Sequence, residues 1–172
     1  MIRQVFGPSK QEIWSQLSQE IGAEYEEDGF FKAGKMVLSH KQWEITLDTY
    51  TVHTGKSHIT YTRMRAPFVN RDGFRFKIYR KNVFSGIGKL FGVQDVEVGD
   101  AFFDDQFIIQ GEPEHLVSSF LTNGMIRQMI QNQPDIHFQV KDDDGWFKEK
   151  FPEGVDELYF EVVGVIKDID RL

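Results

Sequence analysis

Hydrophobic positions recur along this chain with two periods, 3.6 and 2, and each period marks a different kind of element. Ile13, Trp14, Leu17 and Ile21 fall at helical spacing. Ser9-Lys10-Gln11-Glu12 in front of them is a capping-box pattern, and Gly22 behind them is a stop. The pattern predicts a helix over 10–21. Residues 24–34 are acidic and glycine-punctuated and read as a loop, with Phe30 and Phe31 dipping into the core. A first strand is expected over 34–39. Alternating runs over 43–53 and 58–66 then flank Thr54-Gly55-Lys56-Ser57, which predicts a long β-hairpin. Setting His53 opposite His58 brings Val52 to Ile59, Tyr50 to Tyr61 and Asp48 to Arg63 on one face. On the other face Thr51 meets Thr60, Thr49 meets Thr62 and Leu47 meets Met64. A slip of one residue would undo every one of these pairs.

Pro67 closes the return strand and Asn70-Arg71-Asp72-Gly73 is a turn. From Phe74 to Arg80, Phe74, Phe76 and Ile78 alternate with Arg75, Lys77 and Tyr79, which predicts a half-buried strand with a basic outer face. Residues 83–92 are glycine-rich yet apolar. The stretch 94–124 organises the rest: an acidic turn, an apolar strand carrying Phe103, Phe107 and Ile109 on one side and Ile108 on the other, a break at Gly111, then a helix. Pro113 suits that helix's first turn. Leu116, Val117, Phe120 and Leu121 line it, and Asn123-Gly124 stops it. Met125, Ile126, Met129 and Ile130 predict a second helical piece. Strands are expected over 136–140 and 157–166, a turn over 142–145, and a short strand around Trp146, Phe147 and Phe151. Runs of strands with helices grouped between them indicate a single α+β domain over 1–172, with a mainly antiparallel sheet and about three helices.

The residues Gly99-Asp100-x-x-Phe103-Asp104-x-x-Phe107-x-x-x-Gly111, followed by a helix, resemble a signature of an uncharacterised bacterial family of unknown function. The resemblance implies a bacterial α+β domain, soluble or membrane-peripheral. It implies no activity, cofactor or catalytic residue.

A chain of 172 residues with 40% hydrophobic content and 16 Phe can bury a core of its own. It has no Cys, so disulfides, thiolate metal sites and a cysteine nucleophile are excluded. The first residues have no signal-peptide pattern, and no stretch nears the roughly 20 apolar residues of a membrane span. The expectation is a cytoplasmic protein, with a membrane-peripheral one as the alternative. The net charge of -7 is unevenly placed. Residues 63–89 hold eight bases against one acid, and residues 90–172 hold six bases against eighteen acids. Such segregation marks a binding face, or two blocks that meet in the fold.

Candidate chemistry is thin. Asp95, Glu97, Asp100, Asp104 and Asp105 could serve acid–base work or a hard cation, yet aspartate also fills turns by bonding its own backbone. The alternative reading they carry is a divalent-cation-dependent hydrolase using Asp100, Asp104 or Asp105. Asp142-Asp143-Asp144-Gly145 lacks the spacing of a calcium loop. His53 and His58 face each other, but metal sites normally take three or four protein ligands and no third donor stands nearby in the sequence. His40, His115 and His137 read as surface residues. Ser85-Gly86-Ile87-Gly88-Lys89 matches neither a P-loop nor a dinucleotide fingerprint. Nucleic acid is disfavoured, because strand alternation points Phe74 and Phe76 away from the basic face and the chain is acidic. The pattern predicts no cofactor and no resident metal. The leading expectation is a non-enzymatic module that binds a protein or an anionic surface through an acidic face, a basic face or both, with Arg75, Lys77, Arg80, Lys81, Lys89, Phe84 and Phe91 as the candidate binding residues. A peripheral sensor of anionic lipid built on 83–92 is the third reading.

Overall fold

The computed structural model describes residues 7–29, 33–81, 95–142 and 151–172. Among these, eight strands form an antiparallel sheet in the order β1-β2-β3-β4-β8-β7-β5-β6, accompanied by four α-helices, an α+β fold as expected. The strands are β1 (Glu24–Glu26), β2 (Lys35–His40), β3 (Trp43–Thr54), β4 (Ser57–Val69), β5 (Arg75–Arg80), β6 (Phe107–Glu112), β7 (Ile136–Lys141) and β8 (Val155–Val163). The helices are α1 (Lys10–Ile21), α2 (Ala101–Gln106), α3 (Glu114–Thr122) and α4 (Gly124–Gln131). The chain divides into two compact units, Met1–Arg65 with Val163–Leu172, and Ala66–Val162.

In the first unit α1 begins on the expected capping box. The Glu12 N–H donates to Ser9 Oγ at 3.2 Å, and the Ser9 N–H donates to Glu12 Oε2 at 2.8 Å. Gly22 ends the helix with a left-handed φ of 71°. The apolar stripe of α1 buries Trp14 against Met36 and Leu47, and the Trp14 indole N–H donates to the Ile166 carbonyl at 3.0 Å. The β3–β4 register is the one the pairs require, from Leu47 opposite Met64 to His53 opposite His58. Asp48, 9% exposed, accepts from Arg63 Nε and Nη2 and from Arg65 Nη2, all at 2.8 Å. Thr62, fully buried, donates to the Gly164 carbonyl at 2.8 Å and accepts from the Ile166 N–H at 2.9 Å.

The 24–34 loop is corrected: its first residues form β1, paired to β2 with Tyr25 opposite Met36. Asp28 braces the approach to β2, accepting from Lys10 Nζ and from the Gly34 N–H, each at 2.6 Å. The Lys10 hydrogen bond, then that of Gly34, holds its carboxyl below the usual carboxylate range. Phe30 and Phe31 lie outside the described residues.

In the second unit the apolar faces of β5, β7 and β8 carry a run of touching rings, Phe74, Phe76, Phe138 and Phe160, and Phe120 of α3 packs on the first three. Ile78, Ile109, Ile136, Val117 and Leu121 complete this core. The expected strand through Phe103 is corrected to a helix. The Asp100 carboxylate accepts from the N–H groups of Phe102 and Phe103 at 3.2 Å, which caps α2. Phe103 reaches the core from that helix and stacks on Phe107, with centroids 4.6 Å apart. Asn123 does not end α3 in a left-handed turn. Its φ is -68°, and its side chain caps α4 by accepting from Met125 and Ile126. Pro67 does not end β4, which continues to Val69; a strand accepts proline where no neighbour needs its missing N–H. The turn residues Asp143 to Gly145, with Trp146 and Phe147, lie outside the described residues.

Gly111 lies inside β6, opposite Phe76, rather than at its end. A Cβ there would run into the Arg75 carbonyl oxygen and come within 2.9 Å of Phe76 Cα. Backbone cannot step aside as a flexible side chain can. We expect Gly111→Ala to cost roughly 1–3 kcal/mol, read as a lower urea midpoint at unchanged slope; an unaltered midpoint would show that β5 and β6 are not held this closely.

Candidate polar face of the second unit

Because side chains alternate across a strand, a sheet face filled by phenylalanines fixes what stands on the opposite face. Cross-strand register sorts those residues into rows. One row runs Glu161, His137, Tyr79, Ile108, and the next runs Tyr159, Gln139, Lys77, Gln110. Lys141 and Glu157 form a third pair. Gln110 extends the second row by donating to Asp95 Oδ1 at 3.3 Å.

These groups are not a loose solvated surface. Glu157 is 4% exposed and Tyr159 6%. The Tyr159 hydroxyl donates to Glu161 Oε2, and Lys141 Nζ lies 3.3 Å from the centre of the Tyr159 ring. Burial pushes His137 below the ordinary imidazole value; Glu161 opposes the shift, while Lys77 and Lys141 add to it. His137 is therefore a neutral imidazole at pH 7, with one nitrogen donating and one accepting. Burial, and then the charge of Asp95, raise the Tyr79 hydroxyl. Tyr159, Glu157 and Gln110 are closed off, and the half-buried Lys77, Tyr79, His137, Gln139 and Glu161 leave both signs of charge, an amide, a phenol and a neutral imidazole partly open, a set suited to hydrogen-bonded recognition.

Of the predicted basic residues Lys77 belongs to these rows, and Arg75, two residues away on β5 and opposite Glu112, lies on the same face. Arg75 pairs with Asp142 at 2.9 Å and lies 3.6 Å from Asp156. Arg80 donates to the carbonyls of Gln131 and Gln133, at 2.5 and 3.0 Å, and to Gln106 Oε1 at 2.8 Å, and its guanidinium stacks over Phe107. Lys81 donates to the Asp104 carbonyl at 2.9 Å. Lys89, Phe84 and Phe91 lie outside the described residues. The acidic cluster is largely turned to backbone. Asp100 caps α2 and lies 3.3 Å from Arg127, and Asp104 accepts from the N–H groups of Val98 and Gly99 at 3.0 Å. Asp105 is exposed on α2. Among the described residues no group of three or more His, Asp or Glu side chains is placed to hold a metal.

His137 is corrected from a surface residue to a half-buried one, and Tyr159, Glu161, Glu157 and Lys141 are members of the face that the sequence does not single out. Their signal is present all the same: E-L-Y-F-E and H-F-Q-V-K both alternate, and each polar phase needs only a partner strand.

The lowered His137 sets a pH dependence. The unfolded chain takes up a proton on this ring near pH ~6.5, where the folded one still resists it. The stability this neutral ring contributes is fully present above that value and is lost as pH falls from there toward the folded value. His137→Gln should flatten the decline in urea stability between pH 7.5 and pH 5, compared with the wild type. Parallel curves for the two proteins would remove His137 from the account.

Compared with known proteins, the chain matches no family model, no curated protein and no solved structure, so the family resemblance over 99–111 rests on those residues alone.

Proposed function

We propose that this protein is a non-enzymatic binding module, and that its partner is a protein segment carrying both signs of charge, met by the polar face of β8, β7, β5 and β6. One observation carries the proposal: His137 sits between Glu161 and Tyr79 in a row beside Lys77, on strands backed by a phenylalanine core. Rigid, alternating presentation lowers the ordering cost of recognition. Mixed charge favours selectivity and rate of encounter over bulk attraction. The basic block of 63–89 supports a purely anionic partner less well, since Arg63, Arg65, Arg75 and Arg80 are engaged within the chain. The hydrolase reading finds little support, because Asp100 and Asp104 hold backbone N–H groups.

Selection from a mixed-charge peptide library on the immobilised full chain tests the reading. Selected peptides should bind more weakly as salt rises, and Lys77→Gln and Glu161→Gln should each weaken them roughly tenfold, about 1.4 kcal/mol, with both variants still folded by circular dichroism at the assay temperature. Peptides that bind both variants as tightly as the wild type would sink the proposal. A midpoint raised by Mg²⁺, Ca²⁺ or Mn²⁺, and not raised in Asp104→Asn, would favour the hydrolase instead.

A further inference from the structure

The tip of the β3–β4 hairpin belongs to the other unit and is independent of the polar face. Thr54 and Ser57 close a two-residue loop, Gly55-Lys56, with Gly55 at a left-handed φ of 59°. Glycine at the first loop position is what a tight hairpin turn of this kind takes. The pair that closes such a loop exchanges both backbone hydrogen bonds, so the next pair out is the narrow one, where side chains lie closest. That pair is His53 and His58. Their Nδ1 atoms stand 2.7 Å apart, with ring centroids 4.7 Å apart and planes at 73°. Both residues are exposed.

Two Nδ1 atoms this close share one proton: one ring carries it, and the other offers a lone pair. A divalent metal ion can take that proton's place. The ring that gives it up is protonated instead on Nε2, through water, so both rings stay neutral and both turn an Nδ1 lone pair to the metal. With metal–nitrogen bonds of about 2.0–2.1 Å, ligands at a right angle need nitrogens about 2.9 Å apart, and tetrahedral ligands about 3.3 Å. The observed 2.7 Å is close to the first and far from the second. Right-angled nitrogen donors with water in the remaining positions suit Cu(II) and Ni(II) better than Zn(II), and Cu(II) binds the more tightly of the two. We propose that His53 and His58 form a two-histidine site for a tetragonal divalent transition-metal ion, Cu(II) before Ni(II), at the hairpin tip.

Titration of the full chain with CuSO₄, NiCl₂ and ZnCl₂, followed by calorimetry and, for Cu(II), by electron paramagnetic resonance, tests this. The expected result is a Cu(II) signal split by two nitrogen donors, with affinity falling from Cu(II) to Ni(II) to Zn(II). His53→Ala and His58→Ala should each lower Cu(II) affinity roughly tenfold or more. His53→Gln keeps a polar side chain at the turn and should lose the metal as fully, while His40→Ala should leave it unchanged. Cu(II) held equally by the wild type and by the double variant His53→Ala/His58→Ala would overturn the proposal, as would Zn(II) bound as tightly as Cu(II).

Discussion

The stack of phenylalanines on one side of β5, β7 and β8 is the constraint on which the second unit depends. Phe76, Phe138 and Phe120 meet at centroid distances of 5.0 to 6.3 Å, and Phe76 and Ile78 are almost wholly excluded from water. Rings of this size bury roughly 150–250 Å² each, so no strand can turn over without exposing them. With the apolar phase pinned, the polar phase has no choice of side. His137, Tyr159, Glu161 and Lys77 share a face because their neighbours in sequence do not tolerate water. The polar assembly is thus a by-product of core packing, and it inherits the core's rigidity.

Charge is handled in the same economical way. The basic block and the acidic block, so distinct along the chain, meet within the fold. Arg75 reaches Asp142 and Asp156 from the far block, and Lys81 reaches the Asp104 carbonyl. The exposed Arg75–Asp142 pair is worth little by itself. Arg80 is of another kind, because three oxygens from α2 and from the end of α4 converge on one planar guanidinium stacked over Phe107. It works as a strut between elements.

Local geometry is legible in the sequence and distant geometry is not. The β3–β4 register can be read pair by pair, since a two-residue turn fixes it and each strand supplies the other's partners. The α1 cap is equally local. Phe103 misleads because Phe103, Phe107 and Ile109 satisfy an alternating pattern as well as a helix followed by a strand, and the deciding element is the hydrogen bond that Asp100 accepts from its own helix start. Gly99-Asp100 ahead of a short run is that signal. The polar face is hidden for a different reason. His137 and Glu161 are brought together by the pairing of β7 with β8, and no local spacing specifies that register. Nothing in the sequence between the two strands says which of their residues come to face each other.

Thr62 has a consequence for how the protein is made. Its hydroxyl holds the Gly164 carbonyl and the Ile166 N–H, and the Trp14 indole holds the Ile166 carbonyl. The first unit therefore needs a segment that a ribosome delivers about a hundred residues after the hairpin itself. Until that segment arrives, Trp14 and Thr62 have water where their partners should be. The Ala66–Val162 unit is continuous in sequence, yet its own strand β8 is delivered only just before Gly164 and Ile166. During synthesis both units are thus completed within a few residues of each other, late in the chain, and not one after the other in amino-to-carboxyl order.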